Sequence, residues 1–235
     1  MIAYSGGVDS SFLLKVACEQ LGPTNVVALT ACSPTYTLEE IEFSKDFCKS
    51  LNVLHLVRET NEMSDPRFSS NPSNRCYFCK HELFSLCRKE AETLGITIVA
   101  SADNADDLGD YRPGILAAKE IGIKKPLVDA GLSKAEIREF SKALGLPTWN
   151  KEPIACLASR IPYGTPIRKD VLEKIARIEK GLRGLGFRNA RARFHDENLI
   201  RLEVNPDDLD RFGEKALRES VLGLGKKEGF KFKIG

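Results

Sequence analysis

Five short stretches hold residues whose types and spacing could do chemistry. The first is Ser5-Gly6-Gly7-Val8-Asp9-Ser10-Ser11, between an apolar run (Met1-Ile2-Ala3-Tyr4) and a segment in which Phe12, Leu13, Leu14, Val16, Ala17 and Leu21 recur at helical spacing. A glycine turn between strand and helix brings backbone N–H groups and the positive helix end onto an anion. Gly6 and Gly7 permit the turn and a close approach to phosphate. Ser5, Ser10 and Ser11 add hydroxyls in the first turn, where they also serve as caps. No lysine follows the glycines, which excludes a Walker A loop. The second stretch, Asn71–Lys80, begins as turn chemistry and ends in Cys76-Tyr77-Phe78-Cys79, two thiols at a loop-to-helix junction. Both sulfurs can face one ion, and a redox pair, half a zinc site and half an iron–sulfur site all fit. The third, Ser101–Gly114, has four aspartates in eight residues, which by itself is a solvated, helix-capping loop. The fourth, Ala155–Gly164, places Cys156 four residues before Arg160 among prolines and glycine. Cys18, Cys32, Cys48 and Cys87 suit buried structural thiols, whereas Cys156 is expected in an irregular, mobile loop. Last, Arg191 and Arg193 share one face of a strand by the two-residue period, as a phosphate clamp or as a solvated face.

The elements that must position these residues alternate. Strands are expected over Asn25–Thr30, Val53–Val57 and Thr97–Ala100, and helices over Leu38–Leu51 and Leu132–Leu144, the latter opened by a Ser133/Glu136 capping box. Strand–helix alternation implies a parallel sheet with helices on both faces, and ligands at the carboxyl ends of the strands. A proline-bounded connector, 147–153, leads into the Cys156 stretch. Then follow an amphipathic helix over Arg168–Leu185, a hairpin of Arg188–His195 with Leu199–Val204, a helix from Pro206 through Leu217, and a strand over Phe230–Ile234. The expected division is 1–150 as an α/β domain, 151–166 as a linker and 167–235 as a small α+β domain. Apolar residues make up 42% and the net charge is +2, so a sizeable core forms and no basic surface advertises nucleic acid. No apolar run is long enough for a membrane helix and no secretory leader is evident. Seven cysteines without a leader favour a reducing cytoplasm. The first strand begins at Met1 and the last ends the chain, the pattern of a segment trimmed at both ends.

Ser-Gly-Gly-Val-Asp-Ser resembles the pyrophosphate loop of the ATP pyrophosphatases, which split ATP into AMP and pyrophosphate. The resemblance implies ATP contacts from Ser5, Gly6, Gly7, Ser10 and Ser11, and from Thr30 at the end of the second strand. Asp9, beside a triphosphate, then needs a cation between them and is read as a Mg²⁺ contact. Asp103, Asp106 and Asp107 become Mg²⁺ and nucleotide contacts, with Arg112 facing phosphate. Arg-Cys-Tyr-Phe-Cys-Lys, Asp-Asp-Leu-Gly-Asp-Tyr-Arg-Pro-Gly and Ala-Cys-Leu-Ala-Ser-Arg-Ile-Pro-Tyr-Gly resemble the LarE family of sulfur transferases over nearly the whole chain. That family adenylates a carboxylate of pyridinium-3,5-biscarboxylic acid mononucleotide, for the nickel-pincer cofactor, and turns it into a thiocarboxylate. The resemblance makes Cys156 the sulfur-giving residue. With Cys76 and Cys79 it resembles the branch in which three cysteines hold a 4Fe–4S cluster. Ser159, Arg160, Arg191 and Arg193 would meet the substrate, Glu179 and Asp210 would bind a divalent ion, and the chain would form a homo-oligomer. The rivals are a tRNA thiolase, against which stand the near-neutral charge and the lack of an added RNA-binding module, an ammonia-using amide ligase like NAD synthetase, and a non-enzymatic nucleotide sensor.

Overall fold

The computed structural model describes residues 1–109, 113–152, 156–187, 189–196 and 199–233. They form two compact units, Met1–Phe68 with Pro72–Ile154, and Ser69–Asn71 with Ala155–Gly235.

The first unit is built on a parallel sheet of β1 (Ile2–Ala3), β2 (Val27–Cys32) and β3 (Leu54–Glu59), in that order. The register pairs Ile2 with Ala28 and Val27 with Leu54. Central β2, Val-Ala-Leu-Thr-Ala-Cys, is buried along nearly its whole length, as a strand covered on both faces must be. Its alternation divides the core. Ala28 packs with Val8, Phe12 and Leu14 of α1 (Val8–Leu21), Phe47 of α2 (Leu38–Ser50) and Ile137. Val27, Leu29 and Ala31 pack on the opposite face. There they meet Leu83, Phe84 and Cys87, C-terminal to the short α3 (Pro66–Ser69) and within α4 (Arg75–Thr93), and Ala117 and Ala118 of α5 (Pro113–Ile121). After α6 (Pro126–Asp129), α7 (Lys134–Ala143) carries Ile137 and starts on the expected Ser133/Glu136 capping box. The architecture is the expected α/β one.

The expected strand over Thr97–Ala100 is reduced to an isolated bridge, Ala100 to Ile2, with Lys124 bridging Ala100 in turn. Its hydrogen bonds are present, Ala3 N–H to the Ala100 carbonyl and Ala100 N–H to the Met1 carbonyl, both 2.9 Å. The ladder is short because β1 ends after Ala3, where the Ser5–Gly7 turn takes the chain away.

In the second unit, α8 (Lys169–Gly184) lays the wholly buried Leu172, Ile175, Ile178 and Leu182 at helical spacing on a sheet ordered β4 (Arg191–Asp196), β5 (Leu199–Glu203), β6 (Lys231–Lys233). β4 and β5 are antiparallel, as the hairpin expectation requires, and β5 and β6 are parallel, joined through α9 (Lys215–Lys227). The single helix expected from Pro206 to Leu217 is instead two 3₁₀ turns, Pro206–Asp208 and Asp210–Gly213, followed by α9. Arg211 reaches back to Asp208 at 2.7 Å and Gly213 ends the second turn, so the regular helix starts only after it. Asn71 belongs to this unit. It is fully buried in the left-handed region (φ 59°), and its amide donates to the carbonyls of Ile161, Pro162 and Thr165.

Candidate active site

The turn after β1 holds Gly6 at φ +72°. A Cβ there would lie 2.8 Å from the Ser44 hydroxyl oxygen, so both backbone and neighbours require glycine. Gly7 is the N-cap of α1, and no side chain caps this helix. The expected serine caps are therefore absent. Ser10 Oγ donates back to the Gly7 carbonyl at 3.2 Å and meets Ser5 Oγ at 3.1 Å. Ser11 is fully buried against the Tyr4 hydroxyl at 3.2 Å. The first-turn N–H groups of α1 thus keep no intrahelical acceptor and no side-chain cap, which is the condition for receiving an anion.

Thr30 lies at the carboxyl end of β2, but its hydroxyl is committed. It donates to the Tyr4 carbonyl at 2.9 Å and lies 2.8 Å from His55 Nε2. Because the Thr30 proton goes to Tyr4, His55 Nε2–H is the donor in the second bond. Burial lowers the His55 pKa, with Lys45 adding to the effect, and burial raises that of Tyr4. At the same rim, the buried Glu62 carboxylate accepts from Ser33 at 2.5 Å and Thr35 at 3.3 Å, a brace that no local pattern advertises.

Asp9, in the first turn of α1, meets Lys134 Nζ with both oxygens, at 2.8 and 2.7 Å, and Asn104 Nδ2 at 3.4 Å. Asn104 is the hub of the aspartate loop. Its backbone N–H donates to Asp107 at 3.0 Å and its side-chain oxygen accepts from Asp106 N–H. Asp106 in turn accepts from Lys134 N–H at 2.9 Å, while Asp103 accepts from Ser101 at 2.8 Å and lies 3.9 Å from Lys125. The fold thus joins Asp9, Asp106 and Asp107 in one network, with Asp103 held separately. Arg112 lies outside the described residues. Asn104 and Lys134 were not expected at the site. Lys134 is marked only as the first residue of a capped helix, which says nothing of where its side chain reaches.

Burial pushes the Cys48 and Cys87 thiols up to about 12 and raises those of Cys18 and Cys32, so none of the four is poised as a thiolate. Cys76 is exposed and Cys79 half-buried, three apart on the first turns of α4 and so on one helix face. Cys156 is half-buried at the start of a 3₁₀ turn, Leu157–Arg160. The stretch expected to be irregular is thus ordered into that turn from Leu157 to Arg160. Leu157 and Ala158 are buried, and Ser159 N–H closes onto the Cys156 carbonyl at 2.8 Å.

In the second unit Arg160 makes a bidentate pair with Glu179, at 2.8 and 3.0 Å, with both side chains below 10% exposure. Glu179 also accepts from Ala192 N–H at 3.0 Å. Here Glu179 is the anchor of an arginine and a strand, and Arg160 is a buried member of that pair. Arg191 and Arg193 alternate with the buried Ala192 and Phe194 and so share the outer face of β4. Arg193 donates to the Ser159 carbonyl at 3.0 Å and pairs with Glu203 at 2.6 Å. Burial alone would raise the Glu203 carboxyl, but Arg193 and Arg201 hold it below its ordinary value. Asp210 is exposed at the start of its 3₁₀ turn. Among the described residues no three His, Cys, Asp or Glu side chains gather to hold a metal ion, and no helix is long and apolar enough to cross a membrane.

No family model matches the chain. It is 45% identical over 212 residues to an uncharacterised protein of Synechocystis, covering 90% of this chain and 78% of that one. It is 34% identical over 203 residues to the pyridinium-3,5-bisthiocarboxylic acid mononucleotide synthase of Lactiplantibacillus plantarum, covering 86% and 73%. An uncharacterised protein of Methanocaldococcus jannaschii is 30% identical over 233 residues, covering 98% and 86%.

Proposed function

Because the chain belongs to the LarE family of sulfur transferases, we propose that it uses ATP to convert a carboxylate of pyridinium-3,5-biscarboxylic acid mononucleotide into a thiocarboxylate. The observation that carries this reading is the 34% identity to the bisthiocarboxylic acid synthase, over most of both chains. The uncapped start of α1 behind Gly6 supports the ATP half of it. There the β- and γ-phosphates are bound by first-turn N–H groups, with Ser5 and Ser10 beside them. The substrate carboxylate attacks the α-phosphorus, pyrophosphate leaves, and the acyl-adenylate carbon becomes electrophilic. The Cys156 thiolate displaces AMP to form a thioester. Removal of the Cys156 Cα proton then breaks its Cβ–S bond, leaving a thiocarboxylate and dehydroalanine. Arg191 and Arg193 grip the substrate phosphate, with Ser159 fixing Arg193.

Asp9 already accepts a cation, the Lys134 ammonium, so its donor chemistry fits Mg²⁺, which would screen the triphosphate charge. Cys76 and Cys79, on one helix face, would supply two thiolate ligands of the 4Fe–4S cluster that the resemblance implies, with Cys156 as the third. Such a cluster, when bound, would supply a labile sulfide as the sulfur donor and so spare Cys156. In this reading Asp103 and Asp107 hold the aspartate loop at the nucleotide and the enzyme works as a cytoplasmic homo-oligomer. Cys156→Ala tests the assignment. Substrate-dependent release of AMP and pyrophosphate is expected to persist while thiocarboxylate formation stops. Thiocarboxylate formed at the wild-type rate would overturn the role of Cys156, and mass spectrometry of the chain after turnover separates loss of H₂S from the cluster-borne route.

A further inference from the structure

Lys151 stands in the connector, 145 residues from the turn it touches. Its ammonium lies 3.0 Å from the Gly6 carbonyl oxygen, 2.8 Å from Glu40 Oε2 and 3.9 Å from the centroid of the Phe43 ring. Carbonyl, carboxylate and ring face together satisfy the three donors of the group. Its backbone is equally fixed. Arg138 donates to the Trp149 and Lys151 carbonyls at 3.0 and 2.9 Å, and Lys151 N–H closes onto the Thr148 carbonyl at 2.9 Å. Glu40 is held in the first turn of α2, where Thr37 caps its N–H.

The peptide that this ammonium grips joins two glycines, and neither neighbour has a Cβ to resist a flip. The bond is trans, so its carbonyl and its N–H point in opposite directions. Fixing the Gly6 carbonyl on the α2 side therefore turns the Gly7 N–H away from α2. A flipped peptide would present an oxygen to an incoming anion and cancel part of the field of α1. We propose that Lys151 is a positioning residue of the phosphate turn: it locks the Gly6–Gly7 peptide with its N–H toward the anion and does not itself bind phosphate. The proposal rests on the ATP reading above and adds to it the residue that preorganises the turn.

The 235-residue chain and its Lys151→Met and Lys151→Arg variants are titrated with ATP, inorganic pyrophosphate and adenosine by calorimetry. The Gly7 amide is followed by ¹⁵N–¹H NMR without ligand. In Lys151→Met, ATP and pyrophosphate are expected to bind about tenfold more weakly, with adenosine unchanged. The Gly7 amide of the ligand-free variant should shift or split, and Lys151→Arg should recover most of the affinity. Equal weakening of all three ligands would make Lys151 merely structural and overturn the proposal. Weaker ATP binding with an unmoved Gly7 amide would also overturn it, because Lys151 would then be a direct phosphate ligand. A wild-type chain that binds neither ATP nor pyrophosphate would sink the nucleotide reading and this role with it. Wild-type binding that the variants share in full would sink this role alone.

Discussion

Glu179→Ala removes a carboxylate that accepts three hydrogen bonds at once in the second unit. It receives the Arg160 guanidinium through two hydrogen bonds of 2.8 and 3.0 Å and accepts the Ala192 strand amide at 3.0 Å. The pair has side-chain exposures of 8% and 5%, so solvent cannot take over when the carboxylate goes. Breaking a buried ion pair from one side costs about 3–5 kcal/mol, and an orphaned buried amide adds about 1 kcal/mol. A loss of about 4–6 kcal/mol is thus expected, a large share of the ~5–15 kcal/mol that holds a domain folded. Asp170→Asn is the control, since its pair with Arg168 has side chains 51% and 53% exposed and should contribute less than about 1 kcal/mol. The measurement is urea unfolding by far-ultraviolet circular dichroism, with and without a chelator. The structural role predicts a large loss in the variant that the chelator does not alter. A divalent-ion role predicts that the chelator lowers the wild-type midpoint and leaves the variant alone. That result, or a loss below about 1 kcal/mol, would refute the reasoning.

Three other outcomes are open to measurement. Gly6→Ala places a Cβ 2.8 Å from Ser44 Oγ at φ +72°, and is expected to cost about 1–3 kcal/mol and to abolish tight pyrophosphate binding; wild-type affinity by calorimetry would contradict this. Burial holds the His55 pKa below its ordinary value of 6.5, so the unfolded chain takes up the proton first. Its contribution is therefore full above pH 6.5 and is lost as pH falls toward the depressed folded value, and His55→Gln should flatten the pH dependence of the urea midpoint in that window. Iodoacetamide on the native chain should label exposed Cys76 well ahead of Cys48 and Cys87, whose thiols lie at about 12; peptide mapping against reaction time reads the order.

What could be read in advance divides along a physical line. The glycine turn, the capping box at Ser133 and the alternation of Arg191 and Arg193 with buried Ala192 and Phe194 are local, because each follows from a few consecutive residues and the period of their element. The strand at Thr97–Ala100 failed for a neighbour's reason, since its propensity is sound but β1 offers it two residues to pair with. The helix expected from Pro206 failed where a glycine and an arginine–aspartate contact favoured tighter turns. The partners of the reactive turn were invisible for a third reason. Lys134 lies 125 residues from Asp9, and Lys151 lies 145 residues from Gly6. Each meets the turn only because the sheet brings the ends of its strands to one rim. A lysine in a capped helix and a lysine in a proline-bounded connector have ordinary local patterns, and nothing within reach of either predicts so distant an acceptor. Local spacing can therefore say that a turn is suited to an anion, whereas the cations that hold that turn rigid before the anion arrives are a property of the topology.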